Sequence, residues 1–125
     1  MITPHPLEAA RLLSCPVGEV QADRLAAAHQ LAARFGVVTV LKGSGTVVAD
    51  ARGAPPIINL TGNARLATAG TGDVLAGIIG AALAMRQPAF EAAHEAVWQH
   101  GHIADTWPAD AAPLTAGTLA RRASA

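Results

Sequence analysis

The sequence has one cysteine, no tyrosine, only two tryptophans and two phenylalanines, and no excess of charge of either sign. Each shortage excludes something. A lone Cys15 cannot form an internal disulfide, so a reducing, cytoplasmic setting is expected. Phe35, Phe90, Trp98 and Trp107 are too few for an aromatic platform that stacks single-stranded bases. Nine basic side chains balance nine acidic ones, for a net charge of zero. A nucleic-acid binder carries a basic excess, so no nucleic-acid partner is expected. No apolar run approaches the roughly 20 residues that span a bilayer, so no membrane partner is expected. The opening Met1-Ile2-Thr3-Pro4-His5-Pro6 lacks the basic and apolar regions of a signal peptide. His94, His100 and His102 invite a zinc reading. In His94-Glu95-Ala96-Val97-Trp98, however, Trp98 stands where a metalloprotease helix needs its second histidine, so no metal ligands are expected.

What is present suits a compact α/β chain. A length of 125 residues implies a single domain, 1–125, and a hydrophobic fraction of 51% is enough for a sizeable core. Much of that fraction is alanine, which predicts close packing and many helices. Thr3-Pro4-His5-Pro6 is a rigid loop, because each proline restricts itself and its predecessor. Leu7 to Leu13 predicts a short helix, broken by Pro16-Val17-Gly18. An alanine-rich helix follows from Val20 to Phe35, with Leu25, Ala28, Leu31, Ala32 and Phe35 on one stripe and Gly36 as its stop. Val37 to Leu41 is a β-branched run and predicts a buried strand. A turn at Lys42-Gly43-Ser44-Gly45 separates it from strands at Thr46 to Ala49 and Ile57 to Asn59. A Gly/Thr-rich loop runs from Leu60 to Thr71. Val74, Leu75, Ile78, Ile79, Ala82 and Leu83 repeat at the helical period. Further helices are expected over Ala89 to Asp105 and Leu114 to Arg122, the second with Arg121 and Arg122 at its negative end.

Gly70-Thr71-Gly72-Asp73 directly precedes the Val74 helix. A helix start offers unpaired N–H groups and the positive end of the macrodipole, and glycine lets a phosphate approach the backbone. A carboxylate at this place would lie beside a bound polyphosphate. Asp73 could take a proton from a hydroxyl as that oxygen attacks the terminal phosphorus, while the amides stabilise charge on the transferred group. The plainer alternative is an ordinary helix cap, since aspartate and glycine are common there. The pattern is neither a Walker loop nor a dinucleotide glycine motif.

The longer stretch Thr61-Gly62-Asn63-Ala64-Arg65-Leu66-Ala67-Thr68-Ala69-Gly70-Thr71-Gly72-Asp73-Val74-Leu75-Ala76-Gly77 closely resembles the signature of the ADP- or ATP-dependent NAD(P)H-hydrate dehydratases, in the ribokinase-like superfamily. Thr3-Pro4-His5-Pro6 with Glu8, Leu41-Lys42-Gly43-Ser44-Gly45-Thr46, and His100-Gly101 with Asp105 resemble three further motifs of that family, in order. The resemblance implies an α/β, partial ribokinase-like fold, with a short mixed sheet flanked by helices. It implies phosphorylation of the hydrate's hydroxyl by ADP or ATP, then loss of phosphate to regenerate NAD(P)H. By the same resemblance His5 and Asp73 contact the hydrate. Lys42, Gly43, Ser44, Gly45 and Thr46, with Gly70, Thr71 and Gly72, contact the nucleotide and its phosphates. Asp73 is the implied base, and Mg2+ is held mainly through the phosphates.

Some features depart from the family pattern. The family's domain is about twice as long, so this chain corresponds to its C-terminal half. That predicts exposed apolar faces and an open sheet edge, hence a homo-oligomer or a partner chain supplying the missing half. Leu7 replaces a glycine beside the hydrate. Ala64-Arg65 and Ala69 replace commoner residues, and Arg65 could either aid or obstruct phosphate. Two rival readings are a small-molecule kinase of the same superfamily and a non-catalytic nucleotide-binding half.

Overall fold

The structure is a computed structural model that describes all 125 residues. It divides into two compact units, Met1–Asn59 and Leu60–Ala125.

In the first unit, helices α1 (Pro6–Leu13), α2 (Val17–Ala22) and α3 (Arg24–Phe35) accompany strands β1 (Thr39–Leu41), β2 (Val47–Ala49) and β3 (Ile57–Ile58). Pro6 sits at the first helical position of α1, where its missing N–H costs nothing. The helix expected from residue 20 to residue 35 is two helices. Asp23 leaves helical geometry (φ −145°, ψ 83°), and its carboxylate caps α3 by accepting from the Ala26 amide at 3.0 Å. Val17 and Gly18, expected as a break, open α2 instead, after Pro16. The predicted stripe is also narrower than expected. Ala27, Ala28, Leu31 and Ala32 are buried, whereas Leu25 and Phe35 are exposed. Gly36 does end α3, in the left-handed region.

The strands form an antiparallel sheet in the order β1-β2-β3. A single parallel bridge adds Ile2 beside Thr39, with Ile2 N–H donating to Val38 O at 3.0 Å and Val40 N–H to Ile2 O at 2.9 Å. The pairing is therefore mixed. α3 packs on β1 and β2. The facing residues are mainly alanine and valine, so backbones approach closely around Ala9, Ala28, Leu31, Leu41 and Val47. Cys15 is a free thiol packed against this core.

The second unit comprises a 3-10 turn (Ala64–Leu66) and helices α4 (Thr71–Ala84), α5 (Ala89–Asp105) and α6 (Ala116–Ala123), which pack on one another. Ile103, Ala104, Leu114 and Leu119 form a core joined by Leu66, Val74 and Trp107. Thr115 and Thr118 make a reciprocal cap at the start of α6, and Arg121 and Arg122 fall in its last turn. Only Thr71, Leu75 and Ile79 of α4 are buried. Leu83 and Met85 stand exposed, although the helix carries no charge beyond Asp73. No helix is long and apolar enough to cross a membrane.

Candidate functional site

The predicted site residues fall into two groups, one in each unit. In the second unit, Gly70 is the N-cap of α4 with φ 86°, a conformation that favours glycine. A side chain there would also press on Ala116, 3.1 Å from the Cβ position. Val74 N–H closes the first helical turn onto Gly70 O at 3.2 Å, and no side chain caps the helix. The amides of Gly72 and Asp73 thus have no intrahelical acceptor. Asp73 sits in the first turn, exposed, with no ion pair. This is the arrangement the turn requires: a free carboxylate beside open N–H groups at a positive helix end. Thr71 is different. Its side chain is buried, and its hydroxyl lies 2.7 Å from Leu66 O and 2.9 Å from Thr68 O, sharing its proton between them. It shapes the loop rather than facing outward.

Residues of α5 hold this loop from behind. His100 is buried, with Nε2 2.9 Å from Thr71 O. A carbonyl only accepts, so Nε2 carries the proton. Gly101 packs against Thr61 so tightly that a Cβ would lie 2.6 Å from Thr61 C and 2.7 Å from Thr61 O. Asp105 uses both oxygens. Oδ2 accepts from the Gly62 amide at 2.8 Å, and Oδ1 accepts from Asn63 Nδ2 at 3.0 Å. Asn63 also donates to Ala104 O and accepts from the Arg65 amide, both at 3.0 Å. The His-Gly pattern near the end of α5 therefore serves the glycine turn structurally. Arg65 itself is exposed and pairs with no carboxylate.

In the first unit, Lys42 N–H donates to Pro4 O at 2.9 Å, which brings the Lys42 loop against the Thr3–Pro6 loop. Thr46 Oγ1 closes the turn on Gly43 O at 2.9 Å. Arg24, which sequence reasoning missed, anchors the loop. Its Nη2 lies 3.2 Å from Leu41 O, 3.2 Å from Lys42 O and 3.4 Å from Gly45 O, while Nη1 donates to Gln21 at 2.8 Å. Burial holds the guanidinium below its usual value, no carboxylate pairs with it, and its buried Nε has no partner. One signal was available: a cation in the first turn of a helix opposes the dipole, which suggests employment elsewhere.

His5 is the N-cap of α1. Its Nδ1 accepts from the Glu8 amide at 3.2 Å, and Glu8 returns a carboxylate to the His5 amide at 2.8 Å. His5 thus forms half of a reciprocal cap, and its ring stays half exposed at 47%. No group of three His, Cys, Asp or Glu side chains could hold a metal ion. His102 stacks on Trp98 with centroids 4.6 Å apart, and His94 meets the edge of Phe90.

Residues 1–124 match the sequence profile of the NAD(P)H-hydrate dehydratase family. The chain belongs to this family. It is 52% identical over 120 residues to the ADP-dependent (S)-NAD(P)H-hydrate dehydratase of Neisseria meningitidis, covering 96% of this chain and 40% of that one. Among solved structures it resembles the ADP/ATP-dependent NAD(P)H-hydrate dehydratase of Bacillus subtilis co-crystallized with ATP/Mg2+, with a TM-score of 0.89 and 37% identity over 98% of this chain and 45% of that one. A ribokinase-like superfamily protein of Enterococcus faecalis gives a TM-score of 0.82 at 32% identity, covering 98% of this chain and 42% of that one. The fold of this family member is therefore ribokinase-like, as the resemblance implied. It spans less than half the length of the relatives it matches.

Proposed function

We propose that the chain contributes to nucleotide-dependent dehydration of NAD(P)H hydrate in the cytoplasm. The observation that carries this reading is the exposed, unpaired Asp73 beside the open amides of Gly72 and Asp73. The hydrate's hydroxyl loses its proton to Asp73 as its oxygen bonds to the terminal phosphorus of ADP or ATP, whose bridging P–O bond breaks. Loss of phosphate, with a proton from the neighbouring carbon, restores the double bond of the reduced ring. The amides of Gly70, Gly72 and Asp73 form the phosphate cradle, and Thr71, whose own amide donates to Thr68 O at 3.3 Å, shapes it. Lys42, Gly43, Ser44, Gly45 and Thr46 bind the nucleotide, and His5 contacts the hydrate through its exposed edge.

The donor set fits Mg2+ held through phosphate oxygens and water, because the protein offers one exposed carboxylate at the turn and no cage of ligands. When bound, the ion supplies charge neutralisation for the phosphates. The rest of the family domain, on the same or a second polypeptide, completes the site. The uncharged, partly uncovered face of α4 supports that need. Beside it is a groove of about 510 Å³ lined by residues that include Ile78, Met85, Ala96 and Ala120.

The test is a repair assay with ADP or ATP on the purified chain, alone and with the rest of the family domain, with its mass measured by light scattering. The expected result is free phosphate together with recovered absorbance of reduced nicotinamide, from an assembly larger than one chain. A phosphorylated product that accumulates would mark a kinase instead. Asp73→Asn should lower turnover by at least about 100-fold while nucleotide affinity stays within a few-fold. Unchanged turnover in that variant would remove Asp73 as the base.

A further inference from the structure

We infer that His100 is a positioning residue for the phosphate-gripping amide of Gly72, an inference that rests on the function proposed above. The argument runs through one peptide plane. The carbonyl of Thr71 and the N–H of Gly72 belong to the same planar trans peptide, so they point in opposite directions and turn together. His100 Nε2–H holds that carbonyl at 2.9 Å. The aim of the Gly72 N–H is thereby fixed from the opposite side of the plane, by a side chain that never meets the ligand.

Three observations single out this bond. His100 is only 8% exposed, so water competes weakly for it and the ring has little room to turn away. The Thr71 hydroxyl, bonded to Leu66 O and Thr68 O, fixes the same residue from its side chain. Glycine at position 72 has the freest backbone of any residue, so a hold on its peptide beyond that of the first helical turn adds more here than at a residue with a Cβ. The neighbouring Gly101 lets α5 approach residue 61 without a Cβ in the way, which brings the ring within reach.

Two variants of the full chain test this, His100→Leu, which removes the donor, and His100→Gln, which restores an N–H at similar reach. The order parameters of the Gly72 and Asp73 N–H vectors are followed by NMR relaxation. Binding of ADP and of ATP with Mg2+ is measured by calorimetry, where stoichiometry reports the folded fraction and affinity reports the site. For His100→Leu, the order parameters of the two N–H vectors fall and affinity per folded molecule falls on the order of tenfold. His100→Gln recovers most of both. A purely structural histidine would lower the melting temperature and the stoichiometry and leave affinity unchanged, which overturns the inference. Unaltered order parameters in His100→Leu overturn it as well. If the wild-type chain, alone or with the rest of its domain, binds neither nucleotide, the proposed function fails. The relaxation measurement then still decides whether His100 aims the amide.

Discussion

The Lys42 loop and the glycine loop at residues 61–73 are both irregular and rich in glycine, yet opposite charges hold them. In the first unit a cation, Arg24, gathers the carbonyls of Leu41, Lys42 and Gly45. In the second a carboxylate, Asp105, gathers the Gly62 amide and the Asn63 side chain, while His100 takes the Thr71 carbonyl. The first arrangement turns partial negative charges inward and leaves a guanidinium with no carboxylate partner, which suits the nucleotide contact proposed for this loop. The second ties down amides at the far end of its loop and leaves the helix-start amides open. An irregular backbone beside a ligand needs a rigid hold on its unused polar groups, and the sign of the holding side chain follows which groups must stay free.

The strongest challenge to this comparison is steric. Gly101→Ala places a methyl group against the Thr61 backbone, which cannot yield as a flexible side-chain tip would. A destabilisation of about 3 kcal/mol is expected, the upper part of the usual overpacking range. It should appear as a fall in the urea midpoint, with faster exchange at residues 61–73. A variant as stable as the parent would show that α5 does not press on the loop.

The next effect separates the two loops. Arg24→Ala leaves three carbonyls without their cation, and a loss of about 2 kcal/mol is expected. Arg24→Lys should recover little, because a point ammonium cannot reproduce the planar fork. Hydrogen exchange should rise over residues 41–46 and stay unchanged over 61–73. If both loops loosen together, the idea of separate anchors fails.

These anchors mark the limit of what the sequence discloses. The start of α5 follows from the break at Gln87-Pro88 and the existence of α4 from periodicity, and the glycine turn lies at a helix start as its composition requires. The break at Asp23 was hidden inside an alanine run that favours helix throughout, although Asp23 was itself a cap signal. The exposure of Leu25 and Phe35 was hidden too, because period alone gives a stripe and not its width. Asp105 and Gly62 are 43 residues apart, and no local pattern encodes their bond. The His-Gly pattern marked the right helix without saying what it holds.

The smallest expected effect concerns the other loop of the first unit and depends on pH. The His5 amide donating to the Glu8 carboxylate holds Glu8 below its ordinary value of 4.5, against a small opposing desolvation, with help from the positive charges of Lys42 and Arg11 and, where its ring is protonated, of His5. A carboxyl lowered in the folded state stabilises that state above its unfolded pKa and loses the contribution as pH falls through the folded one. The Glu8 half of the cap at the start of α1 should therefore be fully effective at neutral pH, and weaken from about pH 4.5 downward. Both side chains are about half exposed (47% and 48%), so solvent screening keeps the effect to a fraction of a cap. Glu8→Gln keeps an acceptor oxygen and removes the titration. The stability difference between parent and variant should thus shrink toward zero as denaturation is repeated from pH 7 to pH 3. A difference that persists at pH 3 would mean that Glu8 acts through packing, and that the charges around the Pro4–Lys42 junction do not tune it.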